Sequence, residues 1–186
     1  MCPEASRVDD TPRSAAPAFG GTTLKYLLIA VLAAAYPCAA ASFTIDATYS
    51  GRYLGNGAHN TDSAGNFGTG WAGGVPAEIR SYFGFGLAGV TGTITSAALR
   101  LQGNPSFAML LSPEGTETFA VFDVSTSLAS LTAGTAGVAG FNDLGTGAQF
   151  GSLSITAVSP NTVDITLNAL GLAYLNSLGG GTAALG

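Results

Sequence analysis

Between Arg80 and Leu101 the chain reads RSYFGFGLAGVTGTITSAALRL: two apolar, strand-like runs around a Gly/Thr turn. Period-two alternation of this kind predicts half-buried β-strands. Over Arg80–Leu87 it places Ser81, Phe83, Phe85 and Leu87 on the core face. Arg80, Tyr82, Gly84 and Gly86 fall on the other face. In Thr95–Leu101, Ala97, Leu99 and Leu101 point inward and Arg100 outward. The same pattern predicts strands at Ser42–Thr48, Glu117–Val124, Gln149–Ala157 and Thr162–Leu167. The last two read as a hairpin, because Pro160 and Asn161 between them favour a turn. Ser50–Val75 is rich in Gly and Asn and reads as a long loop.

Helical spacing is rare. Thr126–Leu131 supports about one turn. Ala169–Leu178 is a better helix: Asn168 can cap it, Leu170, Tyr174, Leu175 and Leu178 share a face, and Gly179–Gly181 stops it. Short strands, closely spaced turn signals and one or two short helices predict an all-β, jelly-roll-like β-sandwich. No internal repeat is visible, which argues against a propeller or solenoid.

The first 41 residues have a different pattern. Lys25 precedes an apolar run from Tyr26 to Tyr36, and Ala39-Ala40-Ala41 satisfies the small-residue rule for signal-peptide cleavage. Residues 1–41 are therefore expected to be a signal peptide with an extended n-region, and 42–186 a single domain. The run is short for a membrane span, which needs about 20 residues. Tyr36 and Pro37 are poor lipobox residues before Cys38. Glu4, Asp9 and Asp10 are unusual in an n-region; a start nearer Leu24 and a long tolerated n-region both fit.

Charge narrows the partners. After Ala41 the only bases are Arg52, Arg80 and Arg100, against eight carboxylates, and there is no lysine. Nucleic acids and anionic membranes, which need clustered cations, are not expected partners. Cys2 and Cys38 both precede the cleavage point, so the domain is expected to carry no disulfide or thiol chemistry.

Few residues suggest catalysis. His59, the sole histidine, lies near Asp62 and Ser63, but neighbours in one loop do not make a triad. Glu114 and Glu117 form the nearest acidic pair, in a turn leading to a strand rather than across a cleft. One histidine and, after Ala41, no cysteine cannot build a structural zinc site. NTDSAG (60–65) lacks the closing acid of an EF-hand loop, which leaves Asp62 and Asp143 as weak calcium candidates. For ligand binding, Tyr53 and Trp71 are the aromatic candidates, with Asn56, Asn60, Asp62 and Asn66 around them for sugar hydroxyls. The bland alternative has both aromatics plugging one end of the sandwich.

The Arg80–Leu101 block resembles the first core hairpin of β-sandwich domains in bacterial exported proteins of the PEP-CTERM sorting type. SGRYLGNGAHN (50–60), ETFAVFDVST (117–126), FNDLGTGAQFG (141–151) and TLNALGLAYLN (166–176) resemble further blocks of that family. The architecture is more distantly similar to carbohydrate-binding-module-like sandwiches of the DNRLRE type. The resemblance implies an exported, non-enzymatic structural or interaction protein of the cell surface, biofilm matrix or periplasm. Its partners would be extracellular polysaccharide or other surface proteins. A carbohydrate-binding module is the alternative, and a glycoside hydrolase a remote one. Two features depart from the family. Gly86 stands where relatives often carry Asp, and GGGTAALG (179–186) replaces the further strand, Pro-Glu-Pro, apolar anchor and basic tail. The domain is therefore expected to lack a terminal strand, to leave a neighbouring edge unpaired, and to self-associate through it.

Overall fold

A computed structural model describes residues 41–60, 67–71, 78–102, 115–156 and 162–186. The chain divides into two units, Met1–Ser42 and Phe43–Gly186. The second is described here.

It is β-rich with a few short helices. In chain order the elements are β1 (Tyr49–Leu54), β2 (His59–Asn60), β3 (Gly70–Trp71), β4 (Glu78–Gly86), β5 (Ala98–Gln102), β6 (Thr116–Phe122), α1 (Leu128–Thr132), α2 (Gly137–Asp143), β7 (Gln149–Thr156), β8 (Thr162–Thr166), α3 (Ala169–Ser177) and β9 (Thr182–Leu185). Strand β4 is central to the first sheet. All of β1 pairs antiparallel along one side of it, from Tyr49↔Gly84 to Leu54↔Ile79. Its other side is shared by β3 (Trp71↔Glu78) and β9 (Phe83↔Leu185 to Gly86↔Thr182). Strand β2 pairs with β1. Two further antiparallel pairs are β5–β8 and β6–β7. A bridge between Asp123 and Leu185, with paired hydrogen bonds between Phe122 and Gly186, ties β9 to β6.

The larger apolar cluster gathers Leu99 and Leu101 from β5, Val163 and Ile165 from β8, Val121 and Ile155 from β6 and β7, and Ala183 and Leu185 from β9. Phe83 and Phe85 pack against it half-buried, and Leu87 is buried in it. That agrees with the expected inward face of β4.

The opposite face of β4 is not at the surface. Tyr82 has no exposure at all. It joins Tyr53, Leu131, Phe141 and Leu144 in a second cluster, built where α1 and α2 cover β1 and β4. Gly84 lets this cover approach: a Cβ there would stand 2.9 Å from Leu128 Cδ1. A strand buried on both faces need not show polar alternation.

Other expectations are corrected. Strand β1 starts at Tyr49 and runs into Ser50–Val75, the segment read as loop, whereas residues 42–47 form no strand and Phe43 is exposed. The glycine that made β1 look like loop is required by packing, since a Cβ on Gly51 would meet the Tyr82 hydroxyl at 2.5 Å. Strand β1 turns into β2 through Gly55-Asn56-Gly57. Gly57 N–H bonds the Leu54 carbonyl, and its positive φ of 83° is the left-handed step of a three-residue hairpin loop.

Strands β7 and β8 exist but are not a hairpin. Strand β7 pairs with β6 and β8 with β5. They face one another through their side chains, closely enough that a Cβ on Gly151 would lie 2.5 Å from the Thr166 carbonyl oxygen. The turn at Pro160 and Asn161 lies outside the described residues. Finally, TAAL within GGGTAALG, where no strand was expected, is strand β9 and pairs with β4. Small Ala183 and Ala184, both buried, gave that strand no legible alternation.

Helix α3 forms as expected. Asn168 Oδ1 accepts the Leu170 and Gly171 N–H groups, and Asn168 Nδ2 donates to the Gln149 carbonyl, fixing the helix to β7. Among the described residues, no helix is long and apolar enough to cross a membrane.

Candidate functional site

The end of the first sheet where β2, β1, β4 and β3 lie side by side carries most of the sequence candidates. Asn60 pairs with Arg52, and His59, Tyr53 and Arg80 form one row across β2, β1 and β4. The backbone of Trp71 pairs with Glu78 on the far edge. Its side chain lies outside the described residues, as do Asp62, Ser63, Asn66 and Glu114.

Tyr53 is not available as a stacking platform. Its ring is fully buried, and its hydroxyl donates to the Leu131 carbonyl at 2.9 Å. Burial raises the pKa of this hydroxyl. Of the two readings of Tyr53, the plug is the one the packing supports. Asn56 turns its Oδ1 to Ala58 N–H and so belongs to the hairpin loop.

His59 stacks beside Tyr53, ring centroids 4.7 Å apart, and its Nε2 lies 3.2 Å from the Tyr82 hydroxyl. Its pKa is lowered by burial. On the α1–α2 turn, Gly134 has φ 73° and sits so close that a Cβ there would be 2.7 Å from His59 Nδ1. Among the described residues no orienting carboxylate contacts the ring; Asp62 and Ser63 lie outside them. With Tyr53 and Tyr82 the ring forms a packed aromatic wedge.

Arg80 serves α2. Its Nη1 donates to the Phe141 and Asn142 carbonyls, its guanidinium lies 4.3 Å from the Phe141 ring centroid, and Glu78 pairs with it at 2.7 Å. A cation at a helix C-terminus is electrostatically favourable, and the Asn142 carbonyl also accepts from Gly145 N–H and the Thr146 hydroxyl. Sequence reasoning missed this role and that of Tyr82. The alternation Arg80, Tyr82, Gly84 was the available signal, since a glycine inside a strand marks close approach of another element.

Asp143, the second calcium candidate, ends α2. Its carboxylate accepts Ser125 N–H, Ser125 O–H and Thr126 N–H, at 3.0, 2.6 and 2.7 Å. Burial works to raise its pKa, but these hydrogen bonds outweigh it and hold the group below its ordinary value. Both oxygens thus pin the segment entering α1. Asp123 acts similarly, accepting Ala148 N–H at 2.6 Å, with Gly147 packed against it. Glu117 stands in β6 opposite Ile155. Among the described residues, no three His, Cys, Asp or Glu side chains converge.

A cleft of about 230 Å³ lies elsewhere, between the segment after β4 and α3. Leu87, Val90, Ile94 and Leu175 make its apolar walls. Asn176 spans it, accepting Ile94 N–H at 2.8 Å and donating to the Ile94 carbonyl at 2.9 Å. Among the described residues its lining carries one side-chain amide and no titratable side chain.

Comparison with known proteins yields no match: no family model, no curated protein and no solved structure is significantly similar to the chain.

Proposed function

We propose that residues 42–186 form an exported, non-catalytic structural or interaction domain of the cell surface, biofilm matrix or periplasm, folded as a jelly-roll-like β-sandwich. The observation that carries this reading is how the polar side chains are used. Arg80 and Asn168 hold a helix end onto a strand, Asp123 holds the loop before β7 beside β6, and Asp143 and Asn176 tie a helix to a neighbouring loop. A scaffold needs such fastening, whereas a catalytic centre needs polar groups converging on open space. The apolar faces of β4, β5–β8 and β6–β7 meeting in one cluster support the sandwich. The export segment is read from Lys25, the Tyr26–Tyr36 run and Ala39-Ala40-Ala41.

Fractionation of cells expressing the full chain tests the proposal. The protein is expected outside the cytoplasm, with an N-terminus at Ser42. An unprocessed chain confined to the cytoplasm overturns it.

A carbohydrate-binding role is the second reading. Its support is the sheet end that places Asn60 and Trp71 on opposite sides of the β1–β4 pair. Glycan-array binding that is lost in Trp71→Ala selects this reading over the first.

A further inference from the structure

We propose that Asn56-Gly57, at the tip of the β1–β2 loop, is a site of covalent modification: slow deamidation through a succinimide, gated by the packing of that loop on α2. Asparagine is followed by glycine nowhere else in the chain. The pairing matters because glycine has no side chain to hinder ring closure and turns freely about its backbone bonds. In the reaction the Gly57 backbone nitrogen loses its proton and attacks Asn56 Cγ. A C–N bond forms, the bond from Cγ to the side-chain nitrogen breaks, and that nitrogen leaves as ammonia. Water then opens the five-membered imide. Opening at one carbonyl gives aspartate. Opening at the other gives isoaspartate, in which the backbone runs through Cβ and Cγ and is one atom longer.

Asn56 is exposed, so water reaches it. Its Oδ1 accepts Ala58 N–H at 2.9 Å, which polarises Cγ and favours attack. Two features oppose attack. Gly57 N–H donates to the Leu54 carbonyl at 2.7 Å, so the proton that must leave is held. Gly57 is also wedged against the start of α2: at φ 83° a Cβ on it would run into Val138 N and stand 2.7 Å from the Gly137 carbonyl carbon. Ring closure needs the Asn56–Gly57 peptide plane to turn, and these backbone neighbours crowd that turn. The lost hydrogen bond and the lost packing together make the folded chain about tenfold or more slower than an unrestrained Asn-Gly pair. The isoaspartate product no longer fits. A longer backbone inside a three-residue hairpin loop cannot keep both the Leu54 bond and the seat of Gly57 on α2.

Peptide mapping by mass spectrometry of the full chain held at pH 8 tests this, with a synthetic peptide of residues 53–59 as the unrestrained reference. The folded chain is expected to convert at Asn56 about tenfold or more slowly than the peptide, and unfolding it in urea should bring the two rates together. Equal rates in the folded chain and the peptide, or no conversion at Asn56 in the urea-unfolded chain, overturn the proposal. Each conversion adds one negative charge, so ion exchange separates the modified fraction of the aged chain. Hydrogen exchange over 137–143 then reads the consequence. It is expected to be faster in the isoaspartate fraction than in unaged chain, and unchanged in Asn56→Asp, which adds the charge without the extra backbone atom. Unchanged exchange in the isoaspartate fraction, or an equal rise in Asn56→Asp, also overturns the proposal.

Discussion

Gly151 has room for a hydrogen and nothing larger, because the position of its missing Cβ is 2.5 Å from the Thr166 carbonyl oxygen. That oxygen belongs to backbone held in β8, so it cannot step aside as a flexible side chain would. Gly151→Ala is expected to lower unfolding free energy by about 1–3 kcal/mol in a urea titration, near the upper end for overpacking. Gly86, with nothing near its Cβ position, is the control and should accept alanine with little change. Tyr53→Phe removes only the hydroxyl and its bond to Leu131, for an expected loss of about 1 kcal/mol. Tyr82→Ala should cost more than Phe85→Ala, on the order of 3–5 kcal/mol for a fully buried ring. Melting measurements on the pair check the order, since Phe85 is only half-buried. Residues with a conventional signature were legible at this scale: Leu99 and Leu101 inside, Arg100 outside and paired with Asp164. Tyr82 was not. Its burial comes from helices roughly fifty residues downstream, and alternation within one strand reports only that a face exists, not what will cover it.

The elements divide along the same line. Helix α3 was legible because its start and stop signals are local, in Asn168 and the following glycines. Helix α2 was not, because Gly137–Asp143 carries two glycines and no side-chain cap. What holds it comes from elsewhere in the chain: Arg80 on its last carbonyls and Asp143 on Ser125 and Thr126. The Asp143 contacts give α2 an acid-sensitive anchor. A carboxylate whose folded pKa is depressed lends stability that is present above its unfolded value, about 3.9, and lost as pH falls through the folded value. Asp143→Asn is expected to weaken the fold by about 1–2 kcal/mol at neutral pH, for lost charge-assisted bonds at a partly exposed site. It should also flatten the acid limb of a stability–pH curve. An acid limb as steep as wild type would assign that sensitivity to other carboxylates. Strand β9 was the costliest misreading. A run of Thr, Ala and Leu has no period to read, and its pairing with β4 and β6 is wholly non-local.

For the whole molecule, β9 replaces the expectation of a bare edge. Strand β4 is paired along one side by β1 and at the two ends of the other by β3 and β9. Removal of residues 182–186 is therefore expected to strip β4 and β6 at once and to make the protein associate, which sedimentation at matched concentrations would show. The intact chain should sediment as the smaller species. Reductant should leave the melting temperature of residues 42–186 unchanged, because both cysteines precede them. The same strand also sets a timetable. Phe83 and Leu185 are partners roughly a hundred residues apart, and the closing of so long a loop is a slow, late step in folding. While the polypeptide is being made, β4 emerges early and then waits, unable to complete its sheet until the segment after α3 has appeared. A nascent chain delayed in this way stays threadable for longer, which would suit the proposed export, since a translocation channel that passes only unfolded polypeptide imposes that condition on its cargo.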